Sequence, residues 1–389
     1  MTATRSTKGR VIVLGIMVFY PLAGVRFQFL HYLRGLRRLG YDVYYFEDTL
    51  YTVYDPDLNN YTTDATGNIA RLARYMESVG FGDRWAFRDN DGRVHGMSAP
   101  ALTAVVRTAD ALLNVTGGQG IKDDLLRVPR RAYVESDPFA QQVRVASGDE
   151  KTIAFLDCHT HHFSFGENLG QPGCTAPIVR YSWQPTRQPV DLDLWACHGP
   201  PPGAAYTTVT TWKNKNPGVV WQGEHYAWTK DIEFRKFLDL PTRRPCPFEL
   251  ATSVDDDVRA ELLARKWRLA DSFAVSLEAD DYRRYIQRSR AEFTVARDQY
   301  SRPRTGWFSD RSVCYLAAGR PVITQETGFS RTVPAGRGLF AYESMDQILA
   351  AVDAIESDYD AHSAAARDIA AAYFSTDVVL PSLMARIGL

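Results

Sequence analysis

The densest run of residues able to do chemistry lies at 302–328, R-P-R-T-G-W-F-S-D-R-S-V-C-Y-L-A-A-G-R-P-V-I-T-Q-E-T-G. A small-residue turn, Thr305 and Gly306, leads into a predicted helix over Ser309–Ala318. Its first turn holds Ser309, Asp310, Arg311 and Ser312. The leading N–H groups of a helix have no intrahelical acceptor, and with the helix dipole they attract anions. Arg302, Arg304 and Arg311 add charge, and a guanidinium can fork onto a phosphate. Gly319 stops the helix, and the predicted strand Pro321–Thr324 runs into Gln325, Glu326 and Thr327, a polar cluster suited to sugar hydroxyls. An ordinary capped helix with surface arginines would read the same way, so the site reading requires these groups to converge.

A second constellation is D-C-H-T-H-H at 157–162, followed by F-S-F-G-E-N at 163–168. The apolar run Ile153–Leu156 predicts a strand, which would put these residues at its carboxyl end, where α/β folds bind ligands. Structural zinc sites draw their ligands from separated pairs, which this run lacks. An imidazole tuned near neutral pH suits removal of a proton from a hydroxyl, so His161, His162 and Glu167 are candidate general bases. Asp137, in E-S-D-P after the predicted strand Arg131–Val134, is a fourth; as a helix N-cap it would be merely structural.

Two loops and two lysines complete the set. Phe19–Arg26 follows the first strand; Gly24 there permits close backbone approach and Arg26 offers charge. Gly117 and Gly118, in T-G-G-Q-G, end another strand. Lys213 and Lys230 flank the start of the second half and could neutralise a diphosphate as point charges, solvated surface lysine being the alternative.

The elements that position these residues alternate throughout. Val11–Met17 reads as a strand buried on both faces. Leu30, Leu33, Leu36 and Leu39 mark a helix over Phe27–Leu39, Gly40 stops it, and Tyr41–Phe46 is the second strand. Strands at Ala111–Val115, Tyr206–Thr211, Phe248–Ala251 and Glu292–Ala296 follow, with helices between, and Met345–Ile387 is helical. Pro-rich text around 199–203 marks the domain boundary. The expected class is therefore α/β, two doubly wound domains facing a central cleft.

The 389 residues carry 45 Lys+Arg against 46 Asp+Glu, a net charge of −1, with 45% hydrophobic and 12% aromatic residues. No global basic field exists, which argues against bulk nucleic-acid binding. Five cysteines without C-x-x-C fit a reducing, cytoplasmic setting rather than a disulfide framework or zinc ribbon. Arg5, Lys8 and Arg10 before Val11–Tyr20 imitate a signal peptide, but Gly15 interrupts the run, no cleavage site follows, and no stretch reaches the ~20 apolar residues of a membrane span. There is no G-x-G-x-x-G after the first strand and no P-loop. The D-x-D triplets at 55/57, 89/91, 191/193 and 255/257 are at chance frequency for so short a motif.

The run A-A-G-R-P-V-I at 317–323 resembles the donor-binding turn of GT-B-fold glycosyltransferases. Y-P-L-A-G at 20–24, H-F-S-F-G-E-N at 162–168, K-D-I-E-F at 230–234, E-F-T-V-A at 292–296 and Thr305–Tyr315 resemble a bacterial group likened to spore-coat glycosyltransferases. The resemblance implies a Rossmann-like acceptor-binding domain over 1–200, a Rossmann-like nucleotide-sugar-binding domain over 201–365, and helices at 366–389 returning to the first. It implies metal-independent transfer, with no cofactor beyond the nucleotide-sugar co-substrate, to a small-molecule acceptor such as a secondary metabolite. Arg302, Arg304, Gly306, Ser309, Asp310, Arg311, Ser312, Gln325, Glu326, Thr327, Lys230 and Lys213 would then hold the donor, and Gly24, Arg26, Gly117 and Gly118 the acceptor side. Many GT-B enzymes carry two acidic or His/Glu positions eight residues apart in this segment; here they fall on Gly306 and Cys314. A non-catalytic sugar- or nucleotide-binding relative and a sugar-nucleotide epimerase of the same fold are the rival readings. The oligomeric state, a homodimer included, is left open.

Overall fold

A computed structural model describes residues 7–200 and 203–389; Arg5 of the basic leader and Pro201 and Pro202 of the boundary run lie outside them. The chain divides into two compact units. Unit one comprises Met1–Ser136, Glu150–Phe163 and Thr376–Leu389, and unit two Asp137–Asp149 and Ser164–Ser375.

Unit one is built on a sheet whose strands run in the order His161–Ser164, Arg130–Glu135, Ala111–Val115, Arg10–Leu14, Asp42–Asp48, Trp85–Arg88, Val94–Gly96. The first strand of the chain sits centrally, parallel to Asp42–Asp48 (Arg10 opposite Asp42) and to Ala111–Val115 (Val11 opposite Ala111). Val11, Ile12 and Val13 are fully buried, as their unbroken apolar run requires of a strand covered on both faces.

Two sequence readings are corrected here. The first helix spans Ala23–Arg38, so Gly24 and Arg26 lie in its opening turn, not in a loop. Ile153–Leu156 belongs to the helix Glu150–Asp157; the strand is His161–Ser164. A short apolar run fits either element, and the strand itself opens on two histidines, which hid it.

The helix Ala23–Arg38 packs against the helix Thr376–Arg386 across Gly35. A Cβ there would lie 2.4 Å from Leu380 Cδ1 and 2.7 Å from Thr376 Cβ. Only hydrogen at that position lets the helices approach so closely.

Unit two carries a six-stranded sheet in the order Arg268–Ala270, Phe248–Ala251, Tyr206–Val209, Ala291–Thr294, Val322–Gln325, Leu339–Tyr342, every pair parallel. Its core is aromatic: Phe248 and Tyr206 stack at 5.1 Å and Phe293 and Tyr342 at 5.7 Å between ring centroids. Here too the first strand of the sheet, Tyr206–Val209, is central, and the chain's path reverses beside it. Such switch points open a crevice at the carboxyl ends of the strands.

Leu380 is fully buried against Gly35. Leu380→Ala should therefore lower the free energy of unfolding by about 2–5 kcal/mol, read from urea titration.

Candidate functional site

The chemistry-bearing residues of unit two gather at the carboxyl ends of Tyr206–Val209 and Ala291–Thr294. The helix Asp310–Ala317 starts there, with Ser309 at its N-cap position, and no side chain caps it. Arg311, in its first turn, points inward. Its Nε donates to Glu292 Oε1 at 2.5 Å, Nη1 to the Val209 carbonyl at 3.0 Å and Nη2 to Thr294 Oγ1 at 2.8 Å. Three of its five donors are thus spent on protein, which corrects the expectation of a free fork for phosphate. Arg311 supplies charge, and holds the helix start in place.

Lys230 is the cation left over. It is 8% exposed, and its Nζ makes no hydrogen bond or ion pair among the described residues. Burial, with Arg311 and Arg297 nearby, pushes its amine well below the ordinary lysine range, against the opposing charges of Glu292 and Asp310. Asp310 is pushed the other way, above the usual carboxylate range: burial and the neighbouring Asp137 outweigh Arg311. Arg297 donates to Asp137 Oδ1 at 2.8 Å and lies 3.9 Å over the ring of Trp228, and the Tyr300 hydroxyl donates to the same Asp137 oxygen. Unit two thus brings Lys230, Arg297, Arg311, Asp137 and Asp310 into one cluster beside an uncapped helix start. In the same turn Ser312 Oγ is buried without a partner.

The loop before the helix is fixed from outside. Gly306 has φ +81° and its N–H donates to the Thr327 carbonyl at 2.8 Å. Asn168 brackets it: its backbone N–H donates to Thr305 O at 2.9 Å, and its Nδ2 to Gly328 O at 3.0 Å and Arg304 O at 3.2 Å. A Cβ on Gly306 would meet the Asn168 nitrogen at 2.9 Å.

Other expected residues are engaged elsewhere. Arg302 pairs with Asp298 and Glu224 and lies 3.8 Å over the Tyr226 ring. Arg304 pairs with Glu343 at 2.7 Å. Gln325 bridges Glu233 Oε2 (2.6 Å) and the Ala296 N–H (3.1 Å), Glu326 accepts from the Gly328 N–H, and Thr327 donates to the Trp307 carbonyl. The 325–327 cluster therefore braces the loop. Lys213 is exposed. Glu167 is held by Arg187 through two bonds of 2.7 and 2.8 Å.

In unit one, His161 and His162 open their strand, so they stand at the amino edge of the sheet, beside the Thr160 N–H bonded to Arg131 O (2.7 Å) at the start of the neighbouring strand. That is the edge opposite the one where α/β sheets bind ligands. His162 Nε2 bonds the Leu156 carbonyl at 3.0 Å, and His159 accepts from Asn114 Nδ2 at 3.0 Å, its pKa lowered to about 4 by burial and by His162. No group of three or more His, Cys, Asp or Glu that could hold a metal occurs among the described residues. Gly117 and Gly118 do follow a strand end, but as packing positions: a Cβ would come within 2.4 Å of Tyr133 and of Ile16 respectively. Arg26 is buried with its guanidinium 5.4 Å from the Tyr75 ring.

No protein-family model and no curated protein matches the chain. Solved structures do. An alpha-glucosyltransferase in complex with UDP and a 13-mer DNA containing a central A:G mismatch superposes with a TM-score of 0.60 at 8% identity, covering 99% of this chain and 100% of that one. Anabaena HepE in complex with UDP and glucose gives 0.51 at 10% identity over 97% and 99%. Sucrose-phosphate synthase from Thermosynechococcus elongatus gives 0.50 at 9% over 98% and 99%. The fold is GT-B-like. Within it the sequence reading missed Arg297, and took Glu292 and Asn168 only as parts of motifs. Arg297, three residues past Thr294, could have been found by following each strand to its carboxyl end.

The site makes a titration visible in stability. An unfolded lysine keeps its proton up to about 10.5, whereas Lys230 releases it lower. Between those two values the unfolded chain binds more protons, so folding is favoured as pH rises. Urea midpoints measured up to pH 10 should show this gain, and Lys230→Met should lack it.

Proposed function

We propose that the protein is a glycosyltransferase that uses a nucleoside-diphosphate sugar and binds its diphosphate at Lys230 and the start of the helix Asp310–Ala317. The observation that carries this reading is the unpaired, buried Lys230 ammonium. A buried charge without a partner is costly to the free protein, and an anionic ligand removes the cost. UDP in two of the compared structures supports the same class of ligand, at a fold likeness only.

In the transfer, the bond between the sugar's anomeric carbon and the β-phosphate oxygen breaks, and the electron pair leaves with the diphosphate. The acceptor oxygen bonds that carbon and gives up its proton. Lys230 and the helix N–H groups would stabilise the charge that develops on the leaving diphosphate, and Arg297 and Arg311 add a field without divalent metal. Of the four base candidates, Asp137 is the one gathered with this cluster. Its side chain is 40% exposed and one carboxylate oxygen is oriented by Arg297 and Tyr300. The placement of the chain in the spore-coat-like group rests on its short motifs alone.

A non-catalytic relative is the second reading, favoured by the two substituted positions. Cys314 is buried with its thiol on the Asp310 carbonyl, and Gly306 is closed in by Asn168. Hydrolysis of the sugar-nucleotide without acceptor separates the two: slow turnover marks an enzyme.

The direct test is thermal unfolding with UDP, dTDP, GDP, ADP and CDP. A ligand at 100 times its dissociation constant adds about 2.7 kcal/mol of stability. One nucleotide should raise the wild-type Tm. Lys230→Met should have a higher ligand-free Tm and no response. A response that survives in Lys230→Met removes Lys230 from the site.

A further inference from the structure

Unit two holds a cavity of about 650 Å3 at the other edge of its sheet. Ala204, Pro247 and Arg290 line it, and each stands just before a strand: Tyr206–Val209, Phe248–Ala251 and Ala291–Thr294 respectively. The cavity therefore lies at the amino ends of these strands, whereas the Lys230 cluster lies at carboxyl ends. Its volume falls within the ~300–1,000 Å3 of pockets that enclose small molecules.

The walls are preformed. Pro200, Pro245 and Pro247 hold φ fixed and carry no N–H, so a wall of prolines stands open without orphaned donors. Val352, Asp353 and Glu356 line the cavity from the helix Met345–Ser357. Both of those carboxylates are already answered. Arg244 forks onto Asp353 at 2.7 and 2.6 Å, and Arg290 onto Glu356 at 3.0 and 2.9 Å. The buried Tyr206 hydroxyl donates to Glu356 as well, at 2.8 Å. Among the described residues, two cations against two anions leave the lining without net charge, which favours a neutral ligand. A ligand entering such fixed walls has little ordering to impose on them.

Arg290 decides the shape of that ligand. The Tyr359 ring covers one face of its guanidinium, with 3.8 Å from the guanidinium carbon to the ring centroid. The Tyr359 hydroxyl donates to the Arg290 carbonyl at 2.8 Å, which fixes the stack. Arg290 lines the cavity and Tyr359 does not, so the guanidinium stands between the ring and the open space. Nε and Nη2 are spent on Glu356, while Nη1 has no hydrogen-bond partner among the described residues. A guanidinium is planar and stacks on aromatic faces. A flat ring in the cavity would extend the Tyr359–Arg290 stack, lie against proline rings and accept a hydrogen bond from Nη1 at its edge. We propose that this cavity binds a neutral planar heteroaromatic ring bearing a hydrogen-bond acceptor, at a site separate from the diphosphate cluster. The proposal does not rest on the transferase reading.

Saturation-transfer NMR on the full chain tests it. Caffeine is the neutral planar probe; cyclohexanol, which is not planar, and benzoate, which is not neutral, are the controls. Caffeine should receive saturation and the controls should not. Its affinity should fall about tenfold in Arg290→Lys, which keeps the charge and loses the plane, a loss on the scale of one desolvated stacking contact. That variant also gives up the fork onto Glu356, so a second one fills the cavity and removes no bond. Ala204→Trp, at a partly exposed loop position, should abolish caffeine binding and leave the urea midpoint unchanged. Lys230→Met should bind caffeine as the wild type does. Failure of caffeine to bind overturns the proposal, as does preference for either control or binding that survives Ala204→Trp. Loss of caffeine binding in Lys230→Met would place the ring at the lysine cluster and overturn it equally.

Discussion

One guanidinium ties together the working end of unit two. Arg311 reaches from the first turn of its helix to the last carbonyl of one central strand and to two side chains of its neighbour. Helix start and strand ends are thereby fixed to each other, and the loop between Gly306 and Ser309 has little freedom left. The same contact decides the electrostatics. Glu292 is fully buried and gives its Oε1 to Arg311 and Thr208, while its Oε2 has no hydrogen-bond partner among the described residues. Counted as ionised, Lys230, Arg297 and Arg311 oppose Asp137, Asp310 and Glu292 evenly. The upward shift of Asp310 and the downward shift of Lys230 move each of the two toward its neutral form.

Stability alone would not select this arrangement. A buried lysine without a partner loses hydration and gains nothing in exchange, and an apolar side chain of the same length would serve the fold better. Residues that break a local rule so plainly tend to mark sites, where fold stability is given up for binding. The contrast with unit one is instructive. There the buried Asp48 is met by Arg88 and Lys122, and buried Glu47 by a tyrosine hydroxyl and two backbone N–H groups. The Nζ of Lys230 has no such partner among the described residues.

The sequence made the repeating α/β order legible, because each central strand is an unbroken apolar run and each long helix shows its stripe. Phe248–Ala251 and Ala111–Val115 were placed to the residue. It failed where side chains of the wrong character do the packing. His161–Ser164 looks polar because its histidines are satisfied by main-chain carbonyls and hydroxyls, while the apolar Ile153–Leu156 lies in a helix with only Leu156 buried. At the site, residue types were legible and directions were not. Arg302, Arg304 and Arg311 stand within one ten-residue stretch, yet two turn to surface carboxylates and one turns into the sheet. Which lysine is buried was equally hidden: Lys213 is exposed and Lys230 is not, and burial at the end of a loop is a property of the tertiary structure.

The two substituted positions gain a physical meaning from the same neighbourhood. Gly306 occupies a left-handed conformation with the Asn168 main chain pressed against its α-carbon, so no acid could stand there without displacing the segment that holds the loop. Cys314 is one helical turn beyond Asp310, buried, its thiol bonded to the Asp310 carbonyl and held fully protonated by burial and by the nearby acids. Neither position offers a carboxylate, and Gly306 has no room for one. Under the proposed donor reading, recognition of a ribose would come from groups already in the cluster. Asp310 is the carboxylate there that no basic side chain bonds, lying one turn before Cys314 on the same helix face. Under the proposed donor reading, an acid placed one turn earlier on the helix would change how the donor is oriented, and so which sugar the site would accept.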